Sequence, residues 1–445
     1  MSQVFYCSTL FGAMTLTAAL DAGCFGRRDG RRLLLVSTNT AVPETTVRVD
    51  HAPGFETLRD RFDDVIHWND LIAPLHPSGW TPEPAQIPML SRLIQSAMAV
   101  EDVDELVVES IAVAPARTIA RLIRDCPITV FSDGLMSYGP TRDALPSDIS
   151  GRLRRVLYLD LVPSLEPLLL REHDIEVEVV PPAAFSRVLA RLPEPPEAQG
   201  ARGCPVIIGQ YLSALGIGTR DDEAALHADM LRGLAARGYD HVVFKPHPAA
   251  GTGRIRCLRA VAAELEVALT VVADAVPAEA WVRVARPELV VSCFSTALLT
   301  AHRYLGLPVA TMGCDLALEQ IAPYQNSNRI PATIVDAVVA ELGVDGTLTP
   351  PVPVDLTELV RAVGYCMQPL RNPDLRPSAV GYLQDYGAAR YFKQRRLEAT
   401  GLVPAASHRL ASVRMLVGRG RRVVTRLRRR ARRLRTGRAG PALHP

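Results

Sequence analysis

Short runs of Val, Ile and Leu recur along the chain, each closed by polar residues and followed by apolar positions at helical spacing. Residues 3–9 (Gln-Val-Phe-Tyr-Cys-Ser-Thr) predict a strand ending in two hydroxyls, Ser8 and Thr9. Residues 10–22 follow at helical period and Gly23 closes them. Further strands are predicted over 32–36, 64–68, 105–110 and 128–131, the last running into Ser132-Asp133-Gly134 with Tyr138 shortly after. A helix over 115–124 precedes it, and 156–161 and 175–180 complete the sheet. A Pro-rich stretch from Arg191 to Pro196, leading to Gly200 and Gly203, reads as a semi-rigid linker.

The alternation then restarts. Strands are expected at 205–210 (with a Gly209-Gln210 exit), 240–244, 269–272, 288–293 and 308–312. Helices are expected at 221–236, with acids in the first turn and Gly238 past the end, at 254–264, from Pro277, and at 297–304. Helices follow from residue 356. Strands alternating with amphipathic helices argue for α/β layers built on mainly parallel sheets.

One exit carries unusual chemistry. Phe244-Lys245-Pro246-His247-Pro248 places a lysine and a histidine each before a proline, which holds both out of helical geometry. The chain has 50 Lys+Arg, yet only two are lysines, Lys245 and Lys393. A lysine is a compact point charge suited to phosphate, and open α/β sheets bind ligands at the carboxyl ends of their strands. A surface turn with a chance histidine is the plainer alternative.

Other exits admit two readings. Ser295 and Thr296 stand where a helix begins, as ordinary caps or as donors to an anion. Glu279 lies in a first helical turn, as a dipole partner or as an acceptor for ribose hydroxyls. Gly209-Gln210 permits close backbone approach to a ligand. Asp133 is either a turn aspartate or a general base for an attacking hydroxyl.

Charge and composition alter the picture at the C-terminus. Residues 409–438 hold thirteen arginines and no acid, so a net charge of +3 leaves the remainder at about −10. Val, Leu and Met interleave those arginines over 413–434, as in a basic helix lying on an anionic membrane surface, or in a solvated tail. No interleaved aromatics point to nucleic acid. The eight cysteines form no C-x-x-C pair, so neither zinc nor a disulfide framework is indicated, which suits a reduced, cytoplasmic compartment. No signal peptide and no membrane span are legible.

Three motifs in order, Ser132-Asp133-Gly134, His247-Pro248 and Ser295-Thr296, resemble those of the bacterial sialyltransferase and polysialyltransferase group, over roughly residues 3–313. Pro277-Ala278-Glu279 looks like that group's ribose-contacting segment. The group has acids at both positions before the glycine, and here the first is Ser132.

The resemblance implies a GT-B fold, two Rossmann-like domains facing a cleft. Residues 1–190 would form the acceptor-side domain, 191–204 a linker and 205–350 the CMP-sugar domain. Residues 351–402 would be helices and 403–445 a basic tail. It implies inverting transfer, without metal or cofactor, of sialic acid or a related nonulosonic acid from a CMP donor to a glycan or lipid-linked glycan. Asp133 and His247 would be catalytic. Gly209, Gln210, Lys245, Pro248, Glu279, Ser295 and Thr296 would bind donor, with Ser8, Thr9 and Tyr138 on the acceptor side. The enzyme would act in the cytoplasm or on the inner membrane face. CMP-Kdo or CDP-glycerol transfer, or a lapsed scaffold tethered by the tail, are the competing readings.

Overall fold

The computed structural model describes residues 2–404 apart from 27, 29, 133, 248–252, 273–275 and 389. Asp133, Pro248 and the basic tail therefore lie outside the described residues. The chain forms two compact units, Met1–Tyr391 and Phe392–Pro445. The described part of the second contains a short helix, Gln394–Ala399.

The first unit holds two seven-stranded sheets. Strands β1 (Ser2–Cys7), β2 (Arg31–Val36), β3 (Asp64–His67), β4 (Glu105–Glu109), β5 (Ile128–Ser132), β6 (Leu153–Leu159) and β7 (Glu176–Val180) build one. Its order is β3-β2-β1-β4-β5-β6-β7, parallel throughout. The second is built from β8 (Val206–Ile208), β9 (His241–Lys245), β10 (Ala268–Val271), β11 (Val290–Ser292), β12 (Val309–Thr311), β13 (Glu341–Leu342) and β14 (Leu348–Thr349). Its order is β10-β9-β8-β11-β12-β13-β14, parallel except for the last pair. Each sheet thus repeats the doubly wound order, and two such domains in one chain make a GT-B architecture.

Helices cover both faces of the first sheet, which is why its strands read as unbroken apolar runs. Leu33, Leu35, Leu106, Val108 and Val130 pack on one face with Ile119 and Leu122 of the helix Ala116–Leu122. Local signals set the helix ends. Thr9 Oγ1 accepts from Gly12 N–H at 2.8 Å and starts the helix Leu10–Asp21. Thr219 and Asp222 form a capping box for the helix Arg220–Ala236, and Gly238 beyond it has φ +90°.

Three differences from expectation stand out. Trp68, expected to end β3, opens a helix instead and is fully buried. The Pro-rich linker contains a helical turn, Pro196–Gly200, and is tied to the second sheet's layer: Arg283 donates to Leu192 O at 2.9 Å and pairs with Glu194. The β13–β14 hairpin went unpredicted because each strand is two residues long. Its turn is fixed by Asp345, whose carboxylate accepts from Thr347 N–H and Oγ1. Beyond it, the Leu356–Met367 and Arg376–Tyr386 segment returns to the first domain. Gln368 Nε2 donates to Arg142 O at 2.7 Å, Arg371 Nη1 to Thr141 O at 3.0 Å, and Asp374 pairs with Arg171.

Candidate active site

In a doubly wound sheet, the strand order reverses beside the first strand, and the crevice there is the natural place for a ligand. In the second sheet this point lies between β8 and β11. Gln210, just past β8, spans it: its Oε1 accepts from Phe294 N–H at 2.8 Å and lies 3.5 Å from Ser292 Oγ. The Gln210 side chain therefore holds the β11 exit in place. Gly209 likewise has a local reason to be glycine. A Cβ there would sit 3.1 Å from the Phe244 ring and 3.3 Å from Pro246 Cα, so the close approach it permits is to the β9 exit.

That neighbouring exit carries Lys245 and His247. Lys245 ends β9 at 4% exposure, and its carbonyl accepts from Gly209 N–H at 2.9 Å. The His247 ring packs on Tyr211, with centroids 4.1 Å apart. Burial lowers its imidazole from 6.5 to about 4, so it is neutral near pH 7. Tyr211 escaped the sequence reading, although it directly follows Gly209-Gln210 at a strand exit.

Past β11, Ser295 caps the helix Thr296–Leu305, its Oγ accepting from Ala297 N–H at 3.3 Å. Glu279 is in the first turn of Ala278–Ala285, the helix following β10, and is 8% exposed. The exits of β9, β8 and β11 thus adjoin, linked by the Tyr211–His247 ring contact and the Gln210–Phe294 hydrogen bond. They bring Lys245, His247 and a helix N-terminus to adjoining positions on one edge.

Thr296 reaches the other sheet. Its Oγ1 accepts from Leu135 N–H at 3.4 Å, and a Cβ added to Gly134 would lie 3.1 Å from it. The glycine after Asp133 is therefore where the β5 exit meets the second domain, and the strand ends of the two sheets face each other.

On the first domain's edge the reversal lies between β1 and β4. Ser8 Oγ donates to Glu109 Oε1 across it. Glu109 ends β4 at 7% exposure and was not singled out from the sequence. Next to it, Tyr6 Oη lies 2.8 Å from Ser37 Oγ and accepts from Asn39 Nδ2. Burial, and then the charge of Glu109, pushes the Tyr6 phenol well up.

The other two acceptor-side residues behave differently. Thr9 is a helix cap. Tyr138, expected to face the acceptor, is wholly buried. Its hydroxyl donates to Leu159 O at 3.2 Å and accepts from Leu161 and Val162 N–H at 3.1 and 3.2 Å. It satisfies the turn after β6 and has a structural role there, because those buried amides would otherwise go unpaired.

Solved structures resemble the chain only distantly. A glycosyltransferase from Rickettsia africae is 11% identical, with TM-score 0.40, and the match covers 91% of this chain and 99% of that one. The GT-B domain of the sialyltransferase from Photobacterium damselae is 12% identical, with TM-score 0.39, over 75% and 96%. No curated protein matches by sequence. The family comparison is more direct: the alpha-2,8-polysialyltransferase (POLYST) model matches residues 3–314, which spans both sheets' strand exits described above. The chain is a glycosyltransferase and belongs to the alpha-2,8-polysialyltransferase family.

Proposed function

We propose that this enzyme moves sialic acid, or a related nonulosonic acid, from a CMP-activated donor to a hydroxyl of a surface glycan, with inversion and without a metal. The observation that carries this reading is the meeting of Lys245, His247 and the helix N-terminus at Ser295 on adjoining strand exits. Breaking the glycosidic bond turns a phosphodiester into a monoester and so adds negative charge to the leaving group. Fixed positive charge and donors aimed at that charge lower the barrier. Lys245 supplies the charge, His247 a proton or hydrogen bond, and Ser295 and the helix amides further donors. Glu279 accepts from the ribose hydroxyls. Asp133, on the facing domain, takes the proton of the attacking hydroxyl.

Calorimetry of the full chain against CMP and CDP-glycerol tests the donor. CMP binding is expected, weakened by about 1–3 kcal/mol in Lys245→Ala, the usual loss for a charged hydrogen-bond partner. Preference for CDP-glycerol would move the reading to teichoic-acid-type transfer, and a folded protein binding neither would leave a lapsed scaffold, the reading favoured by Ser132.

The basic stretch 409–438 gives this enzyme an anionic membrane surface as a partner, on which a lipid-linked acceptor would lie. No described helix is long and apolar enough to cross a membrane. Pelleting with phosphatidylserine vesicles is expected at low salt and to fall steeply as salt rises. Truncation after residue 404 that leaves pelleting unchanged would overturn the assignment.

A further inference from the structure

We infer that Glu109 is a second acceptor-side carboxylate, supplied by the neighbouring strand where the acidic motif itself has Ser132, and that it binds hydroxyls of the acceptor sugar. The inference rests on the transferase reading above. Three observations support it. Glu109 occupies the β1/β4 reversal point of the first sheet, the position equivalent to the β8/β11 point in the second. It registers with Phe131 on β5, so it stands one strand spacing, about 4.8 Å, from the chain leading into Ser132-Asp133-Gly134. It also already accepts a hydroxyl hydrogen bond, from Ser8, which is the interaction proposed for the substrate.

The surrounding structure fixes it there. Ser110, the next residue, has φ +47°, a left-handed conformation that turns the chain sharply after the carboxylate. Beside it the buried Tyr6 and Ser37 hydroxyls bond each other and Asn39, which holds the strand exits around the carboxylate in place.

The chemistry balances without any other reactant. The attacking hydroxyl oxygen bonds to the donor's anomeric carbon. The bond from that carbon to the phosphate oxygen breaks, and its electron pair leaves with CMP. The hydroxyl proton passes to Asp133. Glu109 accepts from the acceptor's hydroxyls, aiming the attacking one at the donor. It touches the substrate and exchanges no proton, so its loss should be felt in acceptor handling and not in donor binding.

The test uses the full-length enzyme with CMP-sialic acid and a fluorescently labelled α2,8-linked oligosialic acid. Glu109→Gln is expected to lower kcat/KM for the acceptor by about 10–100-fold, the loss of a hydrogen bond to a charged group, while CMP affinity stays within twofold. Glu109→Asp should recover part of that loss, which a purely packing role would not predict. Wild-type enzyme that fails to bind CMP sinks the transferase reading itself. A Glu109→Gln protein that binds CMP and uses acceptor within twofold of wild type overturns the Glu109 assignment alone. If Glu109→Gln does not fold, Glu109→Asp carries the test: it keeps the carboxylate and withdraws it by one methylene, so a several-fold rise in acceptor KM with CMP affinity unchanged supports the assignment and an unchanged value overturns it.

Discussion

Asp133→Asn is expected to lower kcat for transfer by about 10²–10⁴-fold, the usual contribution of a positioned general base, with CMP affinity unchanged. Asparagine has the same shape and still accepts a hydrogen bond, but it cannot take a proton. Its effect therefore separates the two readings of a Ser-Asp-Gly exit. Were Asp133 only a turn residue, asparagine would serve as well, because both side chains support such turns. The flanking geometry favours the catalytic reading. Ser132 ends β5, and Gly134 lies against Thr296 of the other domain, so the motif stands where the two domains touch. Loss of an interaction made only in the transition state lowers kcat and kcat/KM together. The acidic limb of the kcat/KM profile, which reports a base that must be ionised, should vanish with it. A variant retaining wild-type kcat would remove Asp133 from the mechanism and leave Glu109 as the carboxylate to test in its place.

The two sheets were legible because buried parallel strands write themselves as apolar runs. Leu33-Leu34-Leu35-Val36 and Val242-Val243-Phe244 have no polar face to disguise them. Parallel crossovers then leave little freedom in topology. The same feature hid Glu109. It closes Leu106-Val107-Val108-Glu109, and an acid after an apolar run reads as the point where a strand meets solvent. Only the sheet order, which puts β4 beside β1, makes that exit the reversal point.

For other site residues the sequence leaves the role open. Gly209, Gln210 and Thr296 have types that suit a ligand, and sequence cannot say whether a glycine makes room for a phosphate or for the Phe244 ring. Tyr138 was expected on the acceptor side because it closely follows the acidic motif, whereas it is buried and its hydroxyl is taken by three backbone groups. Residues at an exit supply the site's chemistry or hold the exits together, and here Gln210 and Thr296 make the second kind of contact.

His247→Asn is expected to lower kcat by about 10²–10³-fold, as removal of one preorganised donor at a developing charge does elsewhere. The pH behaviour gives the sharper test. Burial holds the imidazole near 4 in the free enzyme, against 6.5 for an exposed histidine. A depressed histidine stabilises the fold fully above pH 6.5. That contribution shrinks as pH falls towards 4, because the unfolded chain takes the proton first. Bound donor reverses the local balance: a phosphate charge beside the ring favours the imidazolium and raises its pKa. Between the free value near 4 and the raised value, binding must therefore take up a proton, and affinity must strengthen as pH falls through that window. CMP also titrates, near pH 6, so the comparison is made between wild type and His247→Asn at one pH. Calorimetry in two buffers of different ionisation enthalpy should show greater proton uptake in the wild type. Equal uptake, with kcat within about threefold, would reduce His247 to a packing partner for Tyr211 and shift the leaving-group charge onto Lys245 and the helix N-terminus. Unequal uptake would mean that donor binding itself arms the acid, which explains how a histidine kept neutral by burial can serve a departing phosphate.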